Sequence, residues 1–131
     1  MQTIVINSQK GGSGKTTLCA HLSVQAVRAG DGEVFLIDTD PQGTLTTWHE
    51  KREADEPRRV ELPFQGIADG LDRLRERKVK FCFIDTAPSR TDETAVLSAI
   101  PAARIKVLYN PIISSVRQPG GCPSPAFETS F

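Results

Sequence analysis

The chain has 131 residues, enough for one domain, and its 38% hydrophobic and 24% charged residues are typical of an ordinary soluble globular protein. Sixteen basic and sixteen acidic side chains cancel, so the chain has no net charge that would attract nucleic acid or an anionic membrane, and no membrane partner is expected. No apolar run approaches the roughly 20 residues of a membrane-spanning helix, and three scattered cysteines favour a reducing cytoplasm over a disulfide framework or a zinc site.

Strand-like and helix-like segments alternate from the start of the chain. Residues 3–7 form a short apolar run that predicts a strand. A Gly-rich turn follows, and apolar residues then recur at near-helical spacing up to Gly30, which is well placed to end a helix. Residues 33–38 predict a second strand that ends in a carboxylate, and residues 45–53 a second helix after a loop.

The alternation continues in the second half of the chain. Residues 59–62 predict a short strand, and residues 66–78 an amphipathic helix with charges on its outer faces. Residues 79–85 predict a strand that again ends in Asp. A helix over 91–100 and a fourth long strand over 104–109 complete the series.

This order of elements predicts an α/β fold, with a parallel sheet covered by helices on both faces. In such sheets the chemistry gathers at the carboxyl ends of the strands, so the loops after Asn7, Asp38 and Asp85 are expected to converge. The domain is predicted over residues 1–116. Residues 117–131 contain three prolines, two adjacent glycines and no periodicity, and are predicted to be a disordered tail.

The turn after the first strand, residues 10–17, has the sequence Lys-Gly-Gly-Ser-Gly-Lys-Thr-Thr. Glycines let backbone N–H groups point inward at an anion, and the helix that begins near Lys15 adds its own unpaired N–H groups. Lys15 is expected on the β- and γ-phosphates of a nucleotide, the Thr16 hydroxyl on Mg²⁺ and Thr17 near the α-phosphate. The predicted phosphate-binding residues are Gly11, Gly12, Ser13, Gly14, Lys15, Thr16 and Thr17.

Carboxylates follow the second and third of the longer predicted strands. Hydrolysis at a phosphate loop needs a strand-end carboxylate that holds a Mg²⁺-bound water and a polar group that orients the attacking water. Asp85, at the end of an apolar run, suits the first task, whereas Asp38 and Asp40 both lie near the end of the second strand. A strand-end Asp taken alone is more often a turn or cap residue than a catalytic one.

The phosphate loop departs from the ordinary Walker A pattern in two positions. Gln9 replaces its first glycine, and Lys10 adds a second lysine. This form resembles the signature of the deviant Walker ATPases of the ParA/Soj/MinD family, and the resemblance extends from residue 1 to about residue 100. It implies a P-loop NTPase fold, three-layer α/β/α with a mostly parallel sheet that is incomplete at the C-terminal side, and binding and hydrolysis of ATP with Mg²⁺.

The resemblance also implies roles for individual residues. Lys10 would reach the nucleotide of the other subunit in an ATP-sandwich homodimer, although neutralising phosphate in its own site is the alternative. Asp40 would place the hydrolytic water, and Asp38 would support the water shell of the metal. The implied catalytic residues are Lys10, Lys15 and Asp40, and the implied metal residues are Thr16, Asp38 and Asp85.

At the level of the whole protein, the resemblance implies an ATP-dependent dimerisation switch in plasmid or chromosome partitioning, with a ParB-like partner. DNA binding is a property of the family, but the surface that usually carries it is missing from this chain. Pro41-Gln42-Gly43 and Trp48 favour the partitioning members of the family.

Members of the family are longer than this chain. We expect that a reading-frame change or a premature stop near residues 101–116 accounts for its shorter length. The alternative function is therefore a truncated, non-enzymatic remnant with weak or no nucleotide binding, and a marginally stable chain is expected. A small-molecule kinase would share the loop but would not explain Lys10. An iron–sulfur relative is disfavoured because neither Cys19 nor Cys82 lies in a loop.

Overall fold

The structure is a computed structural model that describes residues 1–7, 12, 14–87 and 105–109, with only the backbone described for Phe64 and for 105–109. Lys10, Gly11 and Ser13, the predicted helix over 91–100 and the predicted tail over 117–131 lie outside these residues.

Strands and helices alternate as the sequence predicts. In chain order the elements are β1 (Gln2–Asn7), α1 (Lys15–Ala29), β2 (Val34–Asp38), α2 (Thr44–Glu50), β3 (Arg58–Arg59), a 3₁₀ turn (Phe64–Gly66), α3 (Ile67–Glu76), β4 (Phe81–Asp85) and β5 (Ile105–Tyr109). The end of α1 is confirmed: Gly30 has a φ of 71°, and its N–H donates to the Val27 carbonyl.

Several elements are shorter than predicted: α3 covers Ile67–Glu76 where 66–78 was predicted, and β4 covers Phe81–Asp85 where 79–85 was predicted. The helix predicted over 45–53 stops at Glu50, because the chain turns back after it and side chains of this region bind the returning segment. The His49 Nε2 lies 2.8 Å from the Pro57 carbonyl oxygen, and the Arg52 Nη2 donates to the Glu56 carbonyl oxygen at 3.0 Å. The strand predicted over 59–62 contains only two residues: Arg58 and Arg59 are the register partners of β2, and the ladder ends with the Val60 N–H, which donates to the Leu36 carbonyl oxygen at 3.0 Å.

Among the described residues, the sheet has five parallel strands in the order β3-β2-β4-β1-β5. Central β4 pairs with β2 on one side and with β1 on the other. Its last residue, Asp85, is the register partner of both Asp38 and Ile6. The prediction of a parallel sheet is confirmed, and the ends of β1, β2 and β4 lie side by side.

The strands bury side chains on both faces of the sheet, which makes the fold a three-layer sandwich. Alternate residues of β2 illustrate this: Phe35 and Ile37 face α3, whereas Val34 and Leu36 face α1 and α2. The α3 side of the core consists of Val5, Phe35, Ile37, Ile67, Leu71, Leu74, Val79, Cys82 and Ile84. The opposite side consists of Ile4, Ile6, Cys19, Ala20, Val34, Leu36, Leu45 and Phe83.

None of the helices in the described part of the chain has both the length and the apolar character needed to cross a bilayer.

Candidate nucleotide-binding site

The turn between β1 and α1 has the backbone that an anion-binding loop requires. Gly12 and Gly14 have φ values of 70° and 79°, in the left-handed region that other residues rarely adopt. A Cβ at either position would meet nothing within 4 Å, so the constraint is conformational and not steric. The first helical hydrogen bond of α1 runs from the Leu18 N–H to the Gly14 carbonyl at 2.9 Å. The N–H groups of the preceding helical residues have no partner within the helix and are available to an anion.

The first two residues of α1 carry the polar groups closest to this turn. Lys15 is only 8% exposed, so its ammonium-bearing chain is held largely within the protein. The Thr16 Oγ1 donates a hydrogen bond of 2.6 Å to the Asp85 Oδ2. This contact joins residues 69 positions apart and fixes the start of α1 against the end of β4.

Asp85 is a buried carboxylate, and only one of its two oxygens has a hydrogen-bond partner among the described residues. Its side chain is fully buried, and its Oδ1 has no hydrogen-bond partner among the described residues. Burial raises the pKa of Asp85 to about 6, and the negative charge of Asp38 acts in the same direction while the Thr16 hydrogen bond opposes it. An unsatisfied buried carboxylate oxygen is costly, which makes this atom a strong candidate for a ligand contact.

The residues around Asp85 fit Mg²⁺ bound together with a nucleotide. Mg²⁺ prefers oxygen ligands and usually takes one or two protein oxygens while phosphates and waters complete its shell. Thr16 and Asp85 supply a hydroxyl and a carboxylate in direct contact. Within the described ranges, no group of three or more His, Cys, Asp or Glu side chains is arranged to hold a metal without such additional ligands.

Asp38, at the end of β2, is engaged very differently. The Thr46 N–H and Oγ1 both donate to its Oδ2 at 2.8 Å, and the Asp40 N–H donates to its Oδ1 at 3.1 Å. Thr46 lies in the first turn of α2, so the Asp38 carboxylate binds the N-terminal end of that helix from the neighbouring strand. Thr46 is not among the residues that the sequence predicts for the site. In the sequence, Thr46 is one of several threonines that follow Gly43 at the start of α2, and nothing in this pattern indicates that it binds Asp38.

Asp40 opens a tight turn between β2 and α2. Its Oδ1 accepts from the Gln42 N–H at 2.9 Å, and its carbonyl oxygen accepts from the Gly43 N–H at 2.8 Å. Gly43 has a φ of 61°, which closes the turn and starts α2. Asp40 is partly exposed, so its second carboxylate oxygen can face solvent beside the site.

Hydrogen bonds between loops lock the three strand ends together. The Thr39 N–H and Oγ1 donate to the Asp85 carbonyl oxygen at 3.0 and 2.8 Å. The Thr86 Oγ1 donates to the Ile6 carbonyl oxygen at 2.9 Å. The ends of β1, β2 and β4 thus meet at one edge of the sheet, as predicted, although most of the loop after β1 lies outside the described residues.

Comparison with known protein families agrees with this geometry. The model of the CobQ/CobB/MinD/ParA nucleotide binding domain matches residues 4–116. The chain belongs to this family. The resemblance of the phosphate loop to the ParA and MinD proteins and the P-loop NTPase fold inferred from it are thereby confirmed.

Relatives of this nucleotide-binding domain include two carboxysome-related proteins and a plasmid protein. The maintenance of carboxysome distribution protein A of Gloeobacter kilaueensis is 32% identical over 84% of this chain and 49% of its own length. Its namesake in Halothiobacillus neapolitanus is 29% identical over 66% of this chain and 40% of its own length. A virulence plasmid ParA family protein of Chlamydia psittaci is 43% identical over 36% of this chain and 18% of its own length. The chain thus spans about half or less of these relatives.

The CobQ/CobB/MinD/ParA domain brings most of the predicted site residues to one edge of the sheet. The negative charges of Asp38 and Asp40 add to the burial that raises the pKa of Asp85, whereas the positive charge of Lys15 lowers it. Beside them, a cavity of about 210 Å³ opens between α1 and α2. It is lined by Thr16, Thr17, Ala20, His21, Thr44 and Trp48. The first turn of α1 is therefore accessible from outside.

The cysteines described in this domain lie away from the loops. Cys19 and Cys82 are both fully buried, one in α1 and the other in β4. Burial raises the pKa of both thiols, that of Cys82 to about 12. Such thiols are inert core residues.

Proposed function

We propose that this chain binds ATP with Mg²⁺ at residues 10–17 and hydrolyses the nucleotide as an ATP-dependent dimerisation switch of the partitioning type. The observation that carries the proposal is the Thr16–Asp85 contact of 2.6 Å, together with a second oxygen of the buried Asp85 that has no partner within the described part of the chain. This pair lies at the N-terminus of α1, directly after two glycines in the left-handed conformation.

The residues around the loop divide the work of binding. The N–H groups at the start of α1 and the loop backbone would hold the phosphate oxygens, and Lys15 would neutralise the β- and γ-phosphates. Thr16 would bind Mg²⁺ directly through its hydroxyl, and Asp85 would hold a water that is bound to the metal. When bound, the metal would supply charge that stabilises negative charge on the phosphate oxygens.

For hydrolysis we assign Asp40 to orient the attacking water. Its place in a closed turn beside Asp38, together with its partial exposure, supports this assignment. We keep Asp38 as a candidate for the metal's water shell, although three of its roughly four acceptor positions already have protein donors. Lys10 is proposed to stabilise phosphate charge across a homodimer.

The biological setting is proposed from the relatives. One of them is described as maintaining carboxysome distribution and another as a ParA family protein of a virulence plasmid. We propose that the chain acts in the positioning or partitioning of such a cargo in the cytoplasm, together with a ParB-like partner protein.

Titration calorimetry with ATP–Mg²⁺ and ADP–Mg²⁺ tests binding. Lys15→Ala is expected to weaken binding at least about 100-fold, because a buried charge on the phosphates is lost. Lys51→Ala, at an exposed lysine just after α2, serves as the matched control and leaves binding unchanged. If wild-type protein releases no heat with either nucleotide, the proposal is wrong.

Steady-state phosphate release then tests hydrolysis. Asp40→Ala is expected to abolish turnover while it preserves binding, and Asp55→Ala in the exposed loop after α2 is the control. Binding without turnover in the wild type would support the non-enzymatic alternative. Phosphate transfer to an added acceptor would support a kinase.

A further inference from the structure

Thr46 makes an unusual pair of contacts for a residue at the start of a short helix. Its backbone N–H and its hydroxyl both donate to the same oxygen, the Asp38 Oδ2, each at 2.8 Å. The N–H contact satisfies one of the unpaired donors at the start of α2, and it does not need the hydroxyl. The hydroxyl contact therefore adds little to capping but restrains the Asp38 carboxylate further.

The restraint on Asp38 passes directly to Asp40. A carboxylate is planar, so a fixed Oδ2 also fixes where the other oxygen points. The Asp38 Oδ1 accepts the Asp40 N–H at 3.1 Å, at the residue that opens the turn leading to Gly43. Two short steps thus connect the Thr46 hydroxyl with the backbone of Asp40.

The hydroxyl is not what attaches α2 to the protein. Leu45 is fully buried in the core cluster that α2 shares with α1, and Trp48 packs against the same cluster. The helix is thus anchored by apolar contacts, which do not depend on the Thr46 Oγ1. This separates a role in holding α2 from a role in orienting the carboxylates.

We infer that Thr46 is a positioning residue that acts through Asp38 to set the place of Asp40. The inference rests on the proposed function, in which Asp40 orients the attacking water. Small displacements of such a group lower the rate of the chemical step more than they lower nucleotide affinity.

The test uses the full chain and three variants. Thr46→Val removes the hydroxyl and keeps the shape and the N–H, whereas Thr46→Ser keeps the hydroxyl. Thr47→Val makes the same substitution at the next residue of α2, which is exposed, and is the matched control. For each protein we would measure kcat, the Kd for ATP–Mg²⁺, and amide hydrogen exchange at Asp40 without nucleotide.

Thr46→Val is expected to lower kcat about five-fold, while the Kd changes less than about two-fold. Exchange at the Asp40 amide should quicken by a similar factor of about five, because the acceptor of its hydrogen bond is less restrained. Thr46→Ser should behave like the wild type, and Thr47→Val should change neither quantity.

Unchanged exchange at the Asp40 amide in Thr46→Val, or equal effects in Thr47→Val, would overturn the inference. A kcat equal to that of the wild type would do so as well. If the wild-type protein does not hydrolyse ATP, the proposed hydrolysis fails, and the exchange measurement alone decides whether Thr46 positions Asp40.

Discussion

The ends of β2 and β4 place an aspartate at the same level of neighbouring strands, since Asp38 and Asp85 are register partners. Asp38 is partly exposed and receives three hydrogen bonds from Thr46 and Asp40. Asp85 is fully buried, receives one side-chain hydrogen bond from Thr16 and keeps an oxygen without a described partner.

This difference shows how one residue type serves two purposes in one site. A carboxylate that already has protein donors stabilises the local backbone and orients the turn next to it. A buried carboxylate that lacks donors is costly to the folded protein until a ligand or metal satisfies it. The two aspartates are therefore expected to respond in opposite ways to substitution.

The largest expected effect concerns ligand binding at the end of β4. Asp85→Asn should weaken ATP binding in the presence of Mg²⁺ about 100-fold, because the neutral amide is a poor partner for the metal. Without Mg²⁺, the affinities of the variant and the wild type should be similar. Calorimetry with Mg²⁺ and with a chelator makes the comparison, and Asp55→Asn in an exposed loop is the control. Equal losses in both conditions would contradict a role in metal binding.

The same substitution should stabilise the metal-free protein at pH 8 by up to about 3 kcal/mol. The pKa of Asp85 is raised from 3.8 to about 6, so the folded state binds its proton more tightly than the unfolded state does. The cost of this group is thus fully present above pH 6, and it declines as the pH falls through the folded pKa toward 3.8. Urea unfolding should show a gain at pH 5 about half that at pH 8. A gain independent of pH would exclude Asp85 ionisation as its cause.

Substitution at the end of β2 should have the opposite sign. Asp38→Ala removes the acceptor of three hydrogen bonds and leaves the N-terminal end of α2 without its cap. We expect a loss of about 1.5 kcal/mol in the free energy of unfolding at pH 8. Urea unfolding of Asp38→Ala measures this loss, and Asp55→Ala, at an exposed position, is the control. If Asp38→Ala stabilised the protein as Asp85→Asn is expected to do, the distinction between the two strand ends would be wrong.

The smallest effect concerns the backbone of the turn after β2. Gly43 has a φ of 61°, so Gly43→Ala should cost about 1 kcal/mol, whereas Gly43→Asn should cost less than half as much. Asn tolerates the left-handed conformation better, and thermal unfolding of the two variants measures the difference. If Gly43→Ala and Gly43→Asn destabilised the protein equally, the left-handed backbone of Gly43 would not be the source of the loss in stability.

Much of the fold was predictable because parallel strands buried on both faces have strong sequence signals. The strand ends at Asn7, Asp38 and Asp85 were predicted correctly, as was the end of α1 at Gly30. The length of α2 was not, because its end depends on contacts of His49 and Arg52 with a segment that returns later in the chain.

For the site, the sequence indicated which residue types would meet but not how their hydrogen bonds would be shared. The order of the phosphate loop and Asp85 predicted that they would meet, which the Thr16 contact confirms. The link between Asp38 and Thr46 depends on how α2 packs against the core. Likewise, the Asp85 Oδ1 without a partner in the described ranges is a property of the packed structure. The predicted roles of all the site residues stay predictions, and Lys10, Gly11 and Ser13 also lie outside the described part.

Trp48, the only tryptophan of the chain, lines the cavity between α1 and α2 together with Thr16 and Thr17. The guanidinium of Arg52 lies over its ring, 4.7 Å from the centroid. Indole emission depends on neighbouring charges and on hydration, and this ring is close to both the phosphate loop and α2. The unlabelled protein therefore carries its own optical probe, and stopped-flow fluorescence can time the arrival of a ligand at the first turn of α1.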